Sequence, residues 1–383
     1  MRRRDFLKST GIAAAGLAGW TPGQGWTEDK APETPRSKPT QDQADGRFVR
    51  PAMFYEKLAD QTVQCGLCPR QCLVGEGGRG RCGVRENRGG DYFTLVYGRA
   101  VTLHNDPIEK KPFNHFLPGT MVLSLATAGC NIACKFCQNW QISQFRPEEL
   151  EARYISPADL IRLARENQSP SVACTYSEPT IYYEYMYDIA RQAKENGLRC
   201  TVVSNGFISP QAVKKLAPLV AAYKIDLKAF TEDYYREYCS AQLQPVLKTL
   251  ETLMGLGPWV EIVNLVLPTA NDREKDVRAM ARWIKENLGP SIPLHFTRFH
   301  PMYKIRNLPP TPVATLEACH AAAKAEGLRY VYVGNVPGHR FDNTYCHRCG
   351  ELLIKRTGLW SVDINIKGGR CPRCQTDIPG VWS

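Results

Sequence analysis

Eleven of the fifteen cysteines in this chain fall into three tight groups, and no other feature limits so strongly what the chain can become. Cys65, Cys68, Cys72 and Cys82 form the first group, Cys130, Cys134 and Cys137 the second, and Cys346, Cys349, Cys371 and Cys374 the third. A group of three cannot pair internally as disulfides, and C-x2-C pairs have the spacing of metal knuckles. Metal ligation is therefore the better account of the three groups. Cys174, Cys200, Cys239 and Cys319 stand alone in helix or strand patterns, where a cysteine serves as a small buried hydrophobe, and they receive no role.

The chain of 383 residues has room for one large catalytic domain of roughly 200 to 250 residues and small accessory modules. Its 43% hydrophobic and 23% charged content suits a globular protein with an ordinary core and excludes wholesale disorder and collagen-like repeats. No stretch approaches the roughly 18 apolar residues that span a bilayer, so no transmembrane domain is expected beyond the signal segment. The net charge of +11 is spread without basic runs, which fits a solvated surface better than a nucleic-acid footprint.

Arg3-Arg4-Asp5-Phe6-Leu7-Lys8 precedes a short Ala/Gly-rich stretch from Gly11 to Trp20. Residues 1–20 resemble a twin-arginine export signal, of the kind used by proteins that fold around a cofactor before crossing the membrane. Export to the periplasm or the outer face of the membrane is the first expectation and the cytoplasm the second. No clear A-x-A cleavage site follows. Residues 21–46, with almost no aliphatic side chains, read as a disordered linker, and the fold should begin near Arg47.

From residue 120 onward, strand and helix patterns alternate. Apolar runs at Met121 to Ala126, Ser171 to Tyr176, Arg199 to Ser204, Tyr223 to Leu227, Val260 to Leu267 and Pro293 to Phe299 read as buried parallel strands. Ser156-Pro157-Ala158-Asp159 and Ser209-Pro210 open helices, and Gly197, Gly289 and Gly327 stand where helices should stop. Such βα units imply an α/β fold, either doubly wound or an incomplete (β/α) barrel, with reactive groups at the strand C-terminal ends. Cys130, Cys134 and Cys137 follow the first of these strands as C-x3-C-x-Phe-C. Three thiolates this close can hold three irons of a [4Fe-4S] cubane and leave the fourth iron open as a binding site, whereas a structural zinc wants four ligands.

This loop on a βα repeat resembles the radical S-adenosylmethionine (SAM) superfamily, whose core is a partial (β/α)6 barrel. Thr175-Tyr176-Ser177-Glu178-Pro179, Ser204-Asn205-Gly206, Lys224-Ile225-Asp226-Leu227-Lys228 and Phe299-His300-Pro301 follow the order seen in activating enzymes of the pyruvate formate-lyase type. Closer still is the AmmeMemoRadiSam-system radical SAM enzyme family, through Cys65-Gly66-Leu67-Cys68-Pro69-Arg70, Gly80-Arg81-Cys82-Gly83-Val84-Arg85, Asp106-Pro107-Ile108-Glu109-Lys110-Lys111-Pro112 and Ile378-Pro379-Gly380-Val381-Trp382.

The resemblance implies that SAM chelates the open iron through its amino and carboxylate groups. An electron from the reduced cluster then cleaves the sulfonium to methionine and a 5'-deoxyadenosyl radical, which removes hydrogen from a substrate. It further implies a reductant protein of the flavodoxin or ferredoxin type, a possible protein substrate in which a glycyl radical is made, and AMMECR-type and Memo-type partners. Glu178 would accept hydrogen bonds from the SAM ammonium, or serve as a helix N-terminal acid. Asp226 and Lys228 alternate on one strand and so share a side, as SAM ligands or as an internal salt bridge. His300 matches a SAM-contacting histidine, and Phe136 would pack near the adenine or in the core. Asn205 is weaker, because Val203, just before Ser204-Asn205-Gly206, stands where the better-known activating enzymes carry an acid.

Cys346-x2-Cys349-x21-Cys371-x2-Cys374 has the pattern of a zinc ribbon, although an iron-sulphur cluster is chemically possible with the same ligands. His347, inside a knuckle, reads as a surface residue. The N-terminal C-x2-C-x3-C-x9-C group suits zinc or a second iron-sulphur cluster equally. The expected organisation is a Cys-rich module at 47–118, a radical SAM core barrel at 119–340 and a zinc-ribbon-like module at 341–383. Radical modification of a small molecule or peptide, and a non-catalytic electron carrier, are the rival functions. Replacing Arg3 and Arg4 by Lys should shift a tagged protein from the exported to the cytoplasmic fraction, and an unchanged distribution would contradict twin-arginine export.

Overall fold

The computed structural model describes residues 46–383, so the twin-arginine segment and nearly all of the linker lie outside the described residues. The apolar runs form strands β2 (Met121–Ala126), β3 (Ser171–Cys174), β4 (Arg199–Ser204), β5 (Ala222–Asp226), β6 (Trp259–Val266) and β7 (Leu294–Arg298). Two further strands, β1 (Thr102–Pro107) and β8 (Val331–Gly334), extend the sheet beyond the six expected. The spatial order from β1 to β8 follows the chain without reversal. Strands β2 to β8 pair in parallel, and β1 lies antiparallel on β2. A doubly wound sheet reverses its strand order at a switch point, so that alternative is excluded.

Local chemistry explains the helix boundaries. In α1 (Pro157–Glu166), Ser156 Oγ accepts from Asp159 N at 3.1 Å while Asp159 Oδ2 accepts from Ser156 N at 3.3 Å, a reciprocal cap. Helices α2 (Tyr183–Glu195), α3 (Pro210–Leu216), α4 (Gln244–Met254), α5 (Glu274–Asn287) and α6 (Val313–Ala325) follow the later strands. Gly197, Gly289 and Gly327 leave α2, α5 and α6 with φ of 73°, 102° and 97°, a backbone that side chains with a Cβ resist.

One face of the sheet packs Val172, Val202, Ile225, Ile262 and Phe296 into the large core that also takes in the helices. The opposite face sets Val122, Ala173, Val203 and Ala222 against Phe113 and Phe116, which belong to the segment between β1 and β2. Because β1 pairs directly with β2, the main sheet crosses the boundary expected at residue 118. Residues 46–383 lie in one compact unit. Before β1, short antiparallel strands form two three-stranded sheets, one pairing Arg50–Pro51 with Asp91–Thr94 and Arg85–Arg88, the other joining Tyr55–Lys57, Val63–Cys65 and Leu73–Val74. After β8, Thr344–Tyr345, Leu352–Arg356 and Val362–Ile364 make a third. Among the described residues no helix is long and apolar enough to cross a membrane.

A fully buried carboxylate on β6 ties the C-terminal segment to this sheet. Glu261 accepts from Asn114 N at 2.9 Å, His115 N at 2.8 Å, Trp259 Nε1 at 3.0 Å and His295 Nε2 at 2.7 Å. His115 also bonds Pro379 O at 2.6 Å and Tyr332 Oη at 2.5 Å, and Arg356 donates to Asn114 O at 2.8 Å. Burial alone would raise the Glu261 pKa, but the His295 bond and the neighbouring histidines hold it below the usual carboxylate value. An amide in place of this carboxylate would turn a donor toward donors. Glu261→Gln should therefore destabilise the fold by about 3 kcal/mol at neutral pH, read as a lowered urea midpoint. An unchanged midpoint would show that this carboxylate does not anchor the C-terminal segment.

Candidate active site at the cysteine loop

Strand β2 delivers the chain to Gly129, whose φ of 96° lies in the left-handed region. A Cβ there would stand 2.7 Å from Val84 Cγ1 and 2.8 Å from Cys82 O, so only glycine lets the loop pass the N-terminal segment. From Cys130 to Cys137 the loop is fixed from several sides. Ala133 N donates to Cys239 O at 2.9 Å, Lys135 N to Tyr238 O at 2.8 Å, and Lys304 N to Lys135 O at 2.9 Å. Asn131 Nδ2 donates to Phe207 O at 2.6 Å, and Arg70 Nε to Asn131 O at 2.9 Å. The 238 and 239 carbonyls belong to a π-helical turn, Tyr235–Cys239, which ends at Ser240 with φ of 50°. Such turns are rare and concentrate at functional sites.

Each sulfur of the loop has its own neighbour. Asn205 Nδ2 stands 3.7 Å from Cys130 Sγ, and Ser143 Oγ stands 3.2 Å from Cys137 Sγ. A hydrogen bond from Cys239 lowers the Cys134 pKa. Burial pushes Cys130 well up and Cys137 up to about 11. Three ionised thiols here need compensating positive charge, which bound iron supplies, and the neighbouring donors suit sulfurs that carry negative charge. The donor set thus fits an iron-sulphur cluster held by Cys130, Cys134 and Cys137.

The residues singled out from the sequence gather on two flanks of this loop. On one flank Glu178, fully buried, accepts from Thr180 N at 3.0 Å, Thr180 Oγ1 at 2.7 Å and Ser204 Oγ at 2.7 Å through Oε1. Its Oε2 accepts from Asn205 N at 2.8 Å. Burial raises its pKa despite these bonds. Oε2 carries a single bond where Oε1 carries three, so Oε2 keeps room for a further donor. Glu178 is both a cap for Thr180 and the anchor that sets Asn205 beside Cys130. On the other flank Asp226 pairs with Lys228 at 3.0 Å and, on its second oxygen, with Lys224. Burial would raise Asp226, but the two lysines hold it down to about 2. Burial would likewise lower Lys228, but Asp226 and Cys134 hold it well above the usual lysine value. Lys228 Nζ lies 5.7 Å from the ring centre of buried Phe136, which tilts against Tyr234 at 6.1 Å. His300, partly buried, sits in the segment that reaches the loop through Lys304, and burial lowers its pKa. Val203 joins the apolar cluster around Phe113 and Phe116.

Some neighbours went unassigned in the sequence. Lys224 shares the side of Asp226 and Lys228 by the same two-residue alternation that singled out that pair. Cys239, read only as a core thiol, touches Cys134, a contact without any local signal. Lys111 bonds Asp106 at 2.5 Å and lies 4.1 Å from the ring centre of Tyr176, whose hydroxyl also donates to Asp106. Burial brings Lys111 down to about 8, while Lys111 holds Asp106 at about 2 against the effect of burial.

The two outer cysteine groups differ. Cys346, Cys349, Cys371 and Cys374 have all four sulfurs within 4.8 Å of one another, with 3.6 Å between Cys346 and Cys374 and between Cys349 and Cys371. Tetrahedral bonds of about 2.3 Å to one ion put sulfurs about 3.8 Å apart, so this group suits a single ion. His347 is half-buried, and its Nδ1 bonds Tyr330 Oη at 2.8 Å. Cys65, Cys72 and Cys82 lie close enough to Cys68 to act on its charge. A cavity of about 620 Å³ has Gly77 to Gly83 on one wall and Cys130, Ile132, Ala133 and Ser143 to Arg146 on another.

The Radical SAM superfamily model matches residues 124–284. An uncharacterized protein of Methanocaldococcus jannaschii is 46% identical over 332 residues, which is 86% of this chain and 99% of that protein. The chain belongs to the radical SAM superfamily, in one family with that protein. It is also similar to pyruvate formate-lyase-activating enzyme of Streptococcus mutans, 20% identical over 41% of this chain and 63% of that enzyme. The Clostridium pasteurianum enzyme of the same name is 23% identical over 41% of this chain and 66% of its own length. Among solved structures, a domain of pyruvate formate-lyase-activating enzyme from Bacteroides vulgatus aligns with TM-score 0.38 and 16% identity, over 43% of this chain and 98% of that one. SuiB of Streptococcus suis bound to S-adenosylmethionine aligns with TM-score 0.45 and 15% identity, over 60% of this chain and 53% of that one.

Proposed function

We propose that this superfamily member uses a [4Fe-4S] cluster on Cys130, Cys134 and Cys137 to cleave SAM and remove hydrogen from a substrate. The observation that carries the reading is the arrangement of two charged flanks around one three-thiol loop: Glu178 with Asn205 on one side, Lys228 with Asp226 on the other. A simple electron carrier has no use for either flank. When bound, the cluster and SAM supply a 5'-deoxyadenosyl radical. The protein's task is to hold the methionyl end of SAM and exclude water. Lys228 offers an ammonium beside Cys134 for a carboxylate, and the spare acceptor site of Glu178 suits an ammonium. Phe136 gives an apolar wall, and His300 stands on the segment that closes against the loop. The one-directional sheet is read as the partial (β/α)6 barrel, and the C-terminal tetrad as a structural zinc site in a ribbon-like module.

For the substrate, the relatives named as pyruvate formate-lyase-activating enzymes support a partner protein in which a glycyl radical is made. Such a reaction draws its electron from a flavodoxin- or ferredoxin-type reductant. AMMECR-type and Memo-type partners, and export by the twin-arginine route, belong to the same proposal through the resemblance in sequence. The cavity beside Cys130 favours a second reading, modification of a small molecule or peptide, since about 300 to 1,000 Å³ is the usual size of such sites.

Anaerobic reconstitution with iron and sulphide, reduction with dithionite and chromatography should yield 5'-deoxyadenosine from SAM. Cys134→Ala should bring the yield to background. Lys228→Met should raise the KM for SAM about tenfold or more, the loss expected for one charge-assisted contact. A fully loaded, reduced wild-type sample that leaves SAM intact would favour the electron-carrier reading.

A further inference from the structure

Cys65, Cys72 and Cys82 stand near a buried hydroxyl that has nothing to bond. Tyr92 is 1% exposed, and its hydroxyl has no hydrogen-bond partner. The position of that hydroxyl is fixed by Gly80: a Cβ added there would stand 2.7 Å from Tyr92 Oη and 3.9 Å from both Cys72 Sγ and Cys82 Sγ. Gly80 therefore leaves open the space that the thiols and the phenol face. A buried hydroxyl without a partner is costly, so its placement beside the thiols calls for an acceptor.

Two further donors converge on the same place. Arg85 Nη1 lies 3.6 Å from Cys65 Sγ, and the Arg81 backbone N–H lies 3.5 Å from Cys72 Sγ. Arg85 is itself fully buried, is ion-paired with Glu184, and keeps a buried Nε without a partner. The chain thus brings thiols of this group together with one buried cation and N–H and O–H donors. That is the environment of a polyanionic centre rich in acceptors.

The sulfur spacing separates the possible centres. Among the described residues, the C-terminal tetrad is the group of metal-binding side chains whose ligand atoms all lie within 4.8 Å of one another. Cys65, Cys68, Cys72 and Cys82 do not form such a group. One tetrahedral ion would need them about 3.8 Å apart. A cubane places each thiolate on a different iron, so its ligands stand further apart, and its sulfides accept hydrogen bonds.

We propose that Cys65, Cys68, Cys72 and Cys82 ligate a second [4Fe-4S] cluster, saturated by the chain, with Tyr92 and Arg85 donating to its sulfurs. The two iron-sulphur sites are neighbours. The Cys82 carbonyl is the atom that Gly129 must clear, and Cys82 and Cys130 line the same cavity of about 620 Å³. A molecule in that cavity would touch both sites.

The test uses full-length protein purified without oxygen. Iron, sulphide and zinc are measured in the wild type and in a Cys130→Ala/Cys134→Ala/Cys137→Ala variant. The wild type should carry about eight irons, and the variant about four irons and four sulphides, with a reduced-cluster electron paramagnetic resonance (EPR) signal that SAM does not alter. In the wild type, Cys65→Ala/Cys72→Ala should remove about four irons. Tyr92→Phe should keep the iron but shift the reduction potential of the SAM-insensitive signal. Two zinc ions per chain with about four irons in the wild type, all of them lost in the triple variant, would overturn the proposal. If the triple variant does not fold, the wild-type iron count and the number of Mössbauer components decide: a single four-iron component overturns it.

Discussion

Three sulfurs must be held near one another by a loop that has almost no freedom. The backbone leaves β2, passes Val84 and the Cys82 carbonyl through a gap that admits only glycine, and presents Cys130, Cys134 and Cys137. It is then clamped by the π-helical turn at 235–239 and by the segment carrying His300. Each clamp comes from a different βα unit, so the geometry of the loop depends on several strands of the sheet being in place together. A loop fixed in this way can offer three ligands without sagging toward a fourth.

The electrostatics follow from the same burial. Asp226 is shared by Lys224 and Lys228 on one wall of the sheet, leaving a net positive charge beside Cys134. Glu178 sits beyond Ser204 and Asn205 on the Cys130 side, its carboxylate nearly saturated by the protein. Opposite charges at the two ends of one loop suit a zwitterion such as an amino acid more than a simple anion or cation. On the same strands, Glu261, the register partner of Lys224, and His115 fasten the C-terminal segment to the sheet.

What could be read from the sequence was what depends on near neighbours. The cysteine spacing, the Ser156 cap and the glycine stops are local, and the structure shows them where the pattern placed them. The shared side of Asp226 and Lys228 follows from strand alternation, and the same rule reaches Lys224. β1 was invisible because Thr102–Pro107 is a polar strand that, among the described residues, stands at the sheet edge beside β2, and edge pairing leaves little apolar signature. β8 is four residues long and lies past the expected last unit. The contact of Cys239 with Cys134 joins segments far apart in the chain, and the place of Tyr92 beside Cys72 and Cys82 depends on how the short N-terminal strands fold back. No spacing rule reports them.

The account stands on a cluster with one corner that the protein leaves free. Its most direct test is electron–nuclear double resonance on the reduced, fully loaded protein with SAM labelled by nitrogen-15 at the amino group and oxygen-17 at the carboxylate. The account predicts resolved couplings from both labels to the cluster, absent in Cys134→Ala. A reduced cluster whose spectrum shows neither coupling and does not move when SAM is added would contradict it.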